Sequence, residues 1–406
     1  VNTSSHRKLP IDMPTEILGG LSPRDFMKLY WQKKPLLVRG AFKDIKPPLN
    51  TTALKKLARQ DDVESRLIWQ ENGSWQMEHG PFSRFPARKE PGWTLLVQSI
   101  DLHDDNASEL LHTFDFIPSA RLDDLMVSIA TEGGGVGPHF DSYDVFLIQA
   151  QGTRRWRYGQ QKDLTLVEGL PLKILKHFEP EQDVVLEPGD MLYLPPHAAH
   201  DGIAMSNDCM TLSVGFRSPQ QATLAQGMLE AAAEQIAARN GAGCGMYSDP
   251  PLPGPTLDKH YKDPEQPATA QSALIPPGLI EATLEAIRKI KLDDETLAVR
   301  FLGCWLTEPN PIAVFDYPDD EVLDQFQQRR AAGSWRLDRR TRMLYRDKSL
   351  FINGELAPVP VTPLLQQLAD NRTLNITATQ AKRLPQNTLE CLSQWLESGW
   401  IHYIPD

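Results

Sequence analysis

The chemistry this sequence can offer is concentrated in two short segments. The first, Gly133-Gly134-Gly135-Val136-Gly137-Pro138-His139-Phe140-Asp141, is a glycine-rich turn that runs into a His-x-Asp pair. Residues two apart on a strand face the same side, so His139 and Asp141 can offer a nitrogen and an oxygen to one ion. Two histidines and one carboxylate on one face of a metal suit non-haem Fe(II) and leave positions open for co-substrate and O2. Such a site needs a second histidine from elsewhere in the fold. A phosphate-binding loop is the rival reading of the glycines, but no Gly-Lys-Ser/Thr follows, and the next segment reads as a strand rather than a helix.

The second segment supplies the histidine. Glu187-Pro188-Gly189-Asp190 reads as a turn, Met191–Leu194 as a strand, and Pro195-Pro196-His197-Ala198-Ala199-His200 follows. The interval from Gly189 through Pro195 to His200 resembles the second signature of cupin-like barrels. It puts His200, rather than His197, at the ligand position, and His197 stands where glycine is common. A metal-free, storage-type cupin is the bland alternative.

Iron in this geometry works with a 2-oxo acid, whose far carboxylate needs a cation. Thr153-Arg154-Arg155-Trp156-Arg157 offers candidates, because a guanidinium makes a two-pronged clamp on a carboxylate. Strand alternation places Arg154 and Trp156 on one face and Arg155 and Arg157 on the other. Periodicity does not say which face is inside.

The elements that position these groups are strands. From Trp93 to Arg217 short apolar and β-branched runs recur between turn residues: Leu95–Ile100, Leu125–Ala130, Asp144–Ala150, Trp156–Tyr158, Asp183–Leu186, Met191–Leu194 and Thr211–Phe216. That spacing predicts a β-sandwich or open barrel. Before it, Ser22-Pro23-Arg24-Asp25 predicts a capped helix, and Leu36–Gly40 a short strand closed by glycine. After it, Ser218-Pro219-Gln220-Gln221 predicts a second capped helix with the stripe Leu224, Met228, Ala232 and Ile236. Eight prolines in 249–277 read as a linker, followed by a helix that starts near Leu279 and carries Ile280, Leu284, Ile287 and Ile290. Helical pieces near 320–331, 363–370 and 387–398, around an Asn353-Gly354 hairpin, suggest a winged-helix-like unit.

Composition sets the outer limits. The 406 residues suggest two or three domains, with an ordinary globular share of apolar side chains. No run approaches the length of a membrane span, so no membrane contact is expected, and VNTSSHRKLPIDMP has no signal-peptide core. The first residue is Val rather than Met, so the start of the sequence is not read as a natural edge. Four well-separated cysteines make neither a zinc motif nor a disulfide framework, and a cytoplasmic setting is expected. A net charge of −11 disfavours general nucleic-acid binding and suits a basic partner. Eight basic residues between Arg329 and Lys348 make nucleic-acid contact conceivable, but a solvated hairpin face is the favoured reading.

Taken together, Leu122–Tyr158, EPGDMLYLPPHAAHDG, SVGFRSP, WQKKPLLVRGAF and YSDP resemble the JmjC-type bacterial ribosomal oxygenases, within them the type that hydroxylates an arginine of a large-subunit ribosomal protein. The resemblance implies an α+β chain: a double-stranded β-helix (cupin/JmjC jelly roll), a helical dimerisation segment and a C-terminal winged-helix-like domain. The expected divisions are 1–217, 218–305 and 306–406. It implies Fe(II) at His139, Asp141 and His200, 2-oxoglutarate held by Arg154, a basic ribosomal-protein substrate and a homodimer. O2 is the third reactant; decarboxylation to succinate accompanies insertion of oxygen into a C–H bond. Asp123, Asp124 and Tyr143 are the candidate partners of the substrate guanidinium. Histidyl hydroxylation, N-methyl-lysine demethylation and a non-enzymatic cupin-type nucleic-acid-binding regulator are the alternatives.

Overall fold

The computed structural model describes residues 8–404; Val1–Arg7, where the N-terminal stretch begins, and the last two residues lie outside the described residues. The chain divides into two compact units. One runs to Ser218 and includes Pro311–Val314; the other holds Pro219–Asn310 and everything from Phe315.

The first unit carries eleven strands: β1 (Leu36–Val38), β2 (Ser65–Glu71), β3 (Ser74–His79), β4 (Trp93–Val97), β5 (Leu122–Ala130), β6 (Val145–Gln151), β7 (Arg154–Gly159), β8 (Gln182–Leu186), β9 (Met191–Leu194), β10 (Ala199–Ala204) and β11 (Cys209–Phe216). Eight of them form one antiparallel sheet in the order β1-β9-β6-β11-β5-β4-β2-β3, and β10-β7-β8 form the facing sheet. The two facing sheets make the β-sandwich expected from the strand spacing.

Strand alternation explains its two cores. Phe146 and Ile148 of β6, with Met191 and Tyr193 of β9, join a large cluster with Phe26, Leu54 and Phe114 from the helical N-terminal region. Their neighbours Val145, Leu147, Leu192 and Leu194 face the other way and pack with Trp156, Tyr158 and Leu186 of the small sheet. Because β6 and β9 are buried on both faces, they read as unbroken apolar runs. Ser22 caps the helix Pro23–Leu29 by accepting from the Asp25 N–H at 3.1 Å, as its sequence predicts.

In the second unit, helices Gln221–Arg239 and Glu295–Thr307 pack through Ala231, Ala232, Leu297 and Phe301. Gly227 allows the close approach, since a Cβ there would stand inside the Phe301 ring. The expected Ser218 cap does not form. The helix starts at Gln221 with Gln220 as its uncapped boundary, because an extended Gln220 puts the start two residues beyond Ser218's reach. The helix Pro277–Arg288 buries nothing, and Ile280, Leu284 and Ile287 are all more than 40% exposed.

The C-terminal part of this unit is a winged-helix domain. Helices Asp320–Arg329, Pro363–Asn371 and Gln386–Glu397 surround two three-stranded sheets. Asn353 and Gly354, both at positive φ, turn the hairpin between Ser349–Ile352 and Glu355–Leu356. The basic strip is largely paired: Arg340 meets Asp316 and Asp338, Arg346 meets Glu295, and Arg329, Arg336, Arg339 and Arg342 are also engaged. All four cysteines are free thiols. Among the described residues no helix is long and apolar enough to cross a membrane.

Candidate metal centre

His139 and His200 meet edge to edge. The His139 N–H donates to the His200 carbonyl at 2.9 Å, and the His200 N–H returns the bond at 2.8 Å. Each ring then ties its Nδ1 to a carbonyl two residues back: His139 to Gly137 at 2.8 Å, and His200 to Ala198 at 2.9 Å. A carbonyl only accepts, so both rings carry their proton on Nδ1 and leave Nε2 as a lone pair. This is the arrangement by which backbone carbonyls orient metal-binding imidazoles. Burial, and then His139, push the His200 pKa down to about 4, so that its ring stays neutral near pH 7.

Asp141 completes the cluster. Its Oδ2 lies 3.6 Å from His200 Nε2, and the three ligand atoms all lie within 4.8 Å of one another. An unprotonated nitrogen facing a carboxylate oxygen is repulsive, and a cation held between them makes the contact favourable. The donor set therefore fits a divalent metal, and two imidazoles with one carboxylate suit Fe(II). His197 is not part of the cluster. It is exposed, its ring lies beside Phe140, and its backbone N–H donates to the Asp141 carbonyl at 2.7 Å, with φ at +64°.

The interior behind the cluster is polar, which is unusual between two sheets. Gln149, Cys209 and Thr211 point inward from the large sheet, and Arg154 does so from β7; all four are buried. Thr211 Oγ1 donates to Gln149 Oε1 at 3.0 Å, and Gln149 Nε2 lies 3.4 Å from Cys209 Sγ. Arg154 Nε donates to the same sulfur at 3.4 Å, while Arg154 Nη2 is buried with no partner. A buried guanidinium nitrogen without an acceptor marks an anion site. The alternation expected for this segment is observed: Arg154 and Trp156 are buried, Arg155 pairs outside with Asp183, and Arg157 pairs with Asp201 across the strands.

Asp124 and Tyr143 lie at the mouth. A Cβ on Gly215 would stand 3.4 Å from Asp124 Oδ1 and 4.0 Å from the Tyr143 ring, so that glycine keeps the space between them open. Ser99 donates to Asp124 Oδ2 from both its N–H (3.0 Å) and its hydroxyl (3.1 Å). Asp124 is partly accessible yet closely surrounded. Burial first, then the charges of Asp101 and Asp123, push its carboxyl up to about 7. The Tyr143 ring is 39% exposed, but its hydroxyl is turned inward against Asp141; burial and the Asp141 and Asp124 charges hold it protonated. Asp123 lies on the outward side of β5, exposed, with Arg217 at 3.3 Å.

Three supporting residues escaped the sequence reading. Ser99 holds Asp124 from a left-handed backbone (φ +50°), which no local signal announces. Cys209 accepts from Arg154, and Gln149 meets Cys209. Gln149 stands out as a polar break in an otherwise apolar strand, while Cys209, the first residue of its strand, gives no signal.

A JmjC domain model matches residues 109–224, and a ROXA-like winged helix model matches residues 290–402. The chain is 32% identical over 366 residues to the ribosomal protein uL16 3-hydroxylase of Escherichia coli (strain K12), covering 86% of this chain and 89% of that protein. It is 36% identical over 214 residues to a probable ribosomal oxygenase of Haemophilus influenzae, about half of each chain. The X-ray structure of E. coli YcfD superposes with a TM-score of 0.77 at 29% identity, covering 95% of this chain and 98% of that one. The structure of YcfD, a ribosomal oxygenase from E. coli, in complex with cobalt and 2-oxoglutarate gives a TM-score of 0.73 at 29% identity, covering 94% and 98%.

Proposed function

We infer function from kinship and geometry together: the chain belongs to the JmjC-type ribosomal oxygenases, and we propose that it is an Fe(II)- and 2-oxoglutarate-dependent hydroxylase of an arginine side chain in a large-subunit ribosomal protein. Kinship supports the ribosomal substrate. The choice of arginine rests on one observation: Asp124 offers Oδ1 beside Tyr143 and an open Gly215, next to the His–Asp–His cluster. A carboxylate and an aromatic ring are the complement of a guanidinium. An imidazole would call for amide partners, and a methylated lysine for an aromatic cage.

His139 Nε2, His200 Nε2 and an Asp141 oxygen would hold the metal, and Arg154 Nη2 the far carboxylate of 2-oxoglutarate. The bound group supplies oxidative decarboxylation of 2-oxoglutarate to succinate and CO2, with the second oxygen atom of O2 inserted into a C–H bond. The chain's own residues do the positioning. Ser99 fixes one Asp124 oxygen so that the other accepts from a guanidinium N–H. Tyr143 keeps its proton beside Asp141, where its hydroxyl can steady that ligand. Asp123 adds negative charge at the mouth that favours a cation. The same reading assigns catalysis to 1–217, dimerisation to 218–305 and a winged-helix unit to 306–406; the exposed apolar face of Pro277–Arg288 supports a second copy of the chain as its partner.

The test is mass spectrometry of arginine-containing ribosomal-protein peptides incubated with the enzyme, Fe(II), 2-oxoglutarate and O2, beside Asp141→Ala. A product one oxygen heavier on arginine, absent with the variant, is expected. Succinate formation with an unmodified arginine would keep the oxygenase and overturn the arginine assignment.

A further inference from the structure

Arg154 is not the only inward donor on β7. Trp156 is 5% exposed and its indole Nε1 is buried with no hydrogen-bond partner. A buried N–H left alone costs about 1–3 kcal/mol, so natural proteins seldom keep one without a use. The indole lies between the two halves of the proposed site: its ring is 5.8 Å from the Arg154 guanidinium carbon and 5.9 Å from the His200 ring. Trp156 belongs to an apolar cluster with Val145, Leu147, Leu186 and Leu192.

The opposite strand is shaped around this ring. Gly202 pairs with Trp156 in the β10–β7 register, and a Cβ on Gly202 would lie 2.7 Å from the indole six-membered ring. Only glycine lets the ring lie flat against β10. The strand is cut to an indole rather than to a smaller ring, and the N–H that comes with the indole has no partner in the chain.

We propose that Trp156 Nε1 is the second donor, with Arg154 Nη2, to the far carboxylate of the 2-oxo acid, and that it sets the preference for a dicarboxylic over a monocarboxylic co-substrate. A carboxylate has lone pairs enough for both donors. The indole donor carries no charge, so it adds direction without drawing in other anions. This inference rests on the 2-oxoglutarate reading of the pocket, and the experiment separates the two.

The full-length chain is loaded with Zn(II), and its affinities for 2-oxoglutarate and for oxamate, which lacks a far carboxylate, are measured by calorimetry. Trp156→Phe is expected to weaken 2-oxoglutarate about 10-fold, as loss of a hydrogen bond to a charged group should. Oxamate is expected to bind both proteins alike. Arg154→Met is expected to weaken 2-oxoglutarate further and to spare oxamate. Unchanged 2-oxoglutarate affinity in Trp156→Phe, with Arg154→Met impaired, would overturn the proposal and leave Trp156 a packing residue. Unchanged affinity in both would remove the pocket reading itself. Should Trp156→Phe not fold, the wild-type indole N–H resonance, identified by its proximity to the His200 ring, is the readout. It should move downfield with 2-oxoglutarate and not with oxamate; a resonance indifferent to both would overturn the proposal.

Discussion

His139 and His200 are a reciprocal backbone pair, each donating its N–H to the other's carbonyl at 2.9 and 2.8 Å. The pairing sets the ring centroids 4.2 Å apart before any metal arrives. A preformed site of this kind binds with little reorganisation. Replacing Asp141 or His200 by alanine is therefore expected to abolish succinate formation and metal retention while leaving the fold intact. Metal content after dialysis and far-ultraviolet circular dichroism check this.

The raised Asp124 carboxyl predicts a pH dependence. A guanidinium needs the carboxylate form, and Asp124 is protonated below about 7. Substrate KM is expected to fall as pH rises through that value, with kcat less affected. Asp101 and Asp123 are the titratable groups whose charges bear on this shift, and both persist in Asp124→Asn. That variant should lose the pH dependence and about 100-fold in kcat/KM, ~3 kcal/mol for one partner of a close charge pair. The stability linkage has the opposite sense. Between the ordinary carboxyl range and about 7 the folded protein holds a proton that the unfolded chain has released, so this group's contribution to stability declines as pH rises through that window.

Gln149 meets Cys209, which meets Arg154, and it also ties the Gln151 and Gly152 carbonyls. Gln149→Leu is expected to raise the KM for 2-oxoglutarate about 10-fold, with metal affinity unchanged. An equal loss in metal affinity would mean that Gln149 supports the barrel as a whole rather than the guanidinium.

His197 holds a left-handed backbone that costs a side chain about 1–2 kcal/mol. Its N–H, not its ring, holds the Asp141 carbonyl. His197→Gly keeps that bond and removes the strain. It is expected to raise the stability of the metal-free protein by ~0.5–1 kcal/mol after glycine's own entropy is counted, read as a higher thermal midpoint.

The face formed by Ile280, Leu284 and Ile287 is expected to be covered by a second copy of the chain. Light scattering should give a dimer for the native protein, and Leu284→Glu with Ile287→Glu should give a monomer. A native monomer would overturn the assignment of this helix.

What could be read from the sequence follows from where each residue makes its decisive contact. Met191–Leu194 was legible to the residue because both its faces are buried. The His-x-Asp turn and His200 were legible because local spacing fixes their direction. Strand β10, Ala-His-Asp-Gly-Ile-Ala, has no apolar period, because three consecutive positions hold the histidine of the candidate metal site, an aspartate paired with Arg157 and a glycine cleared for Trp156. The β2–β3 hairpin went unread although Asn72-Gly73, both at positive φ, carries the same turn signal as Asn353-Gly354. Its flanking strands mix charge and aromatics and give a weak alternation. Ser99 and Cys209 could not be read at all, and Gln149 only as a polar break without a role, since their partners lie 25 to 62 residues away.

The polar end of the sandwich has a consequence for the life of the protein. Arg154 and Trp156 point desolvated donors into an interior that the chain itself does not complete. A dicarboxylic acid that binds there acts as a piece of core, and by mass action the folded state gains RT ln(1 + [L]/Kd) from it. Resistance to unfolding and proteolysis should thus rise with the concentration of that dicarboxylic acid.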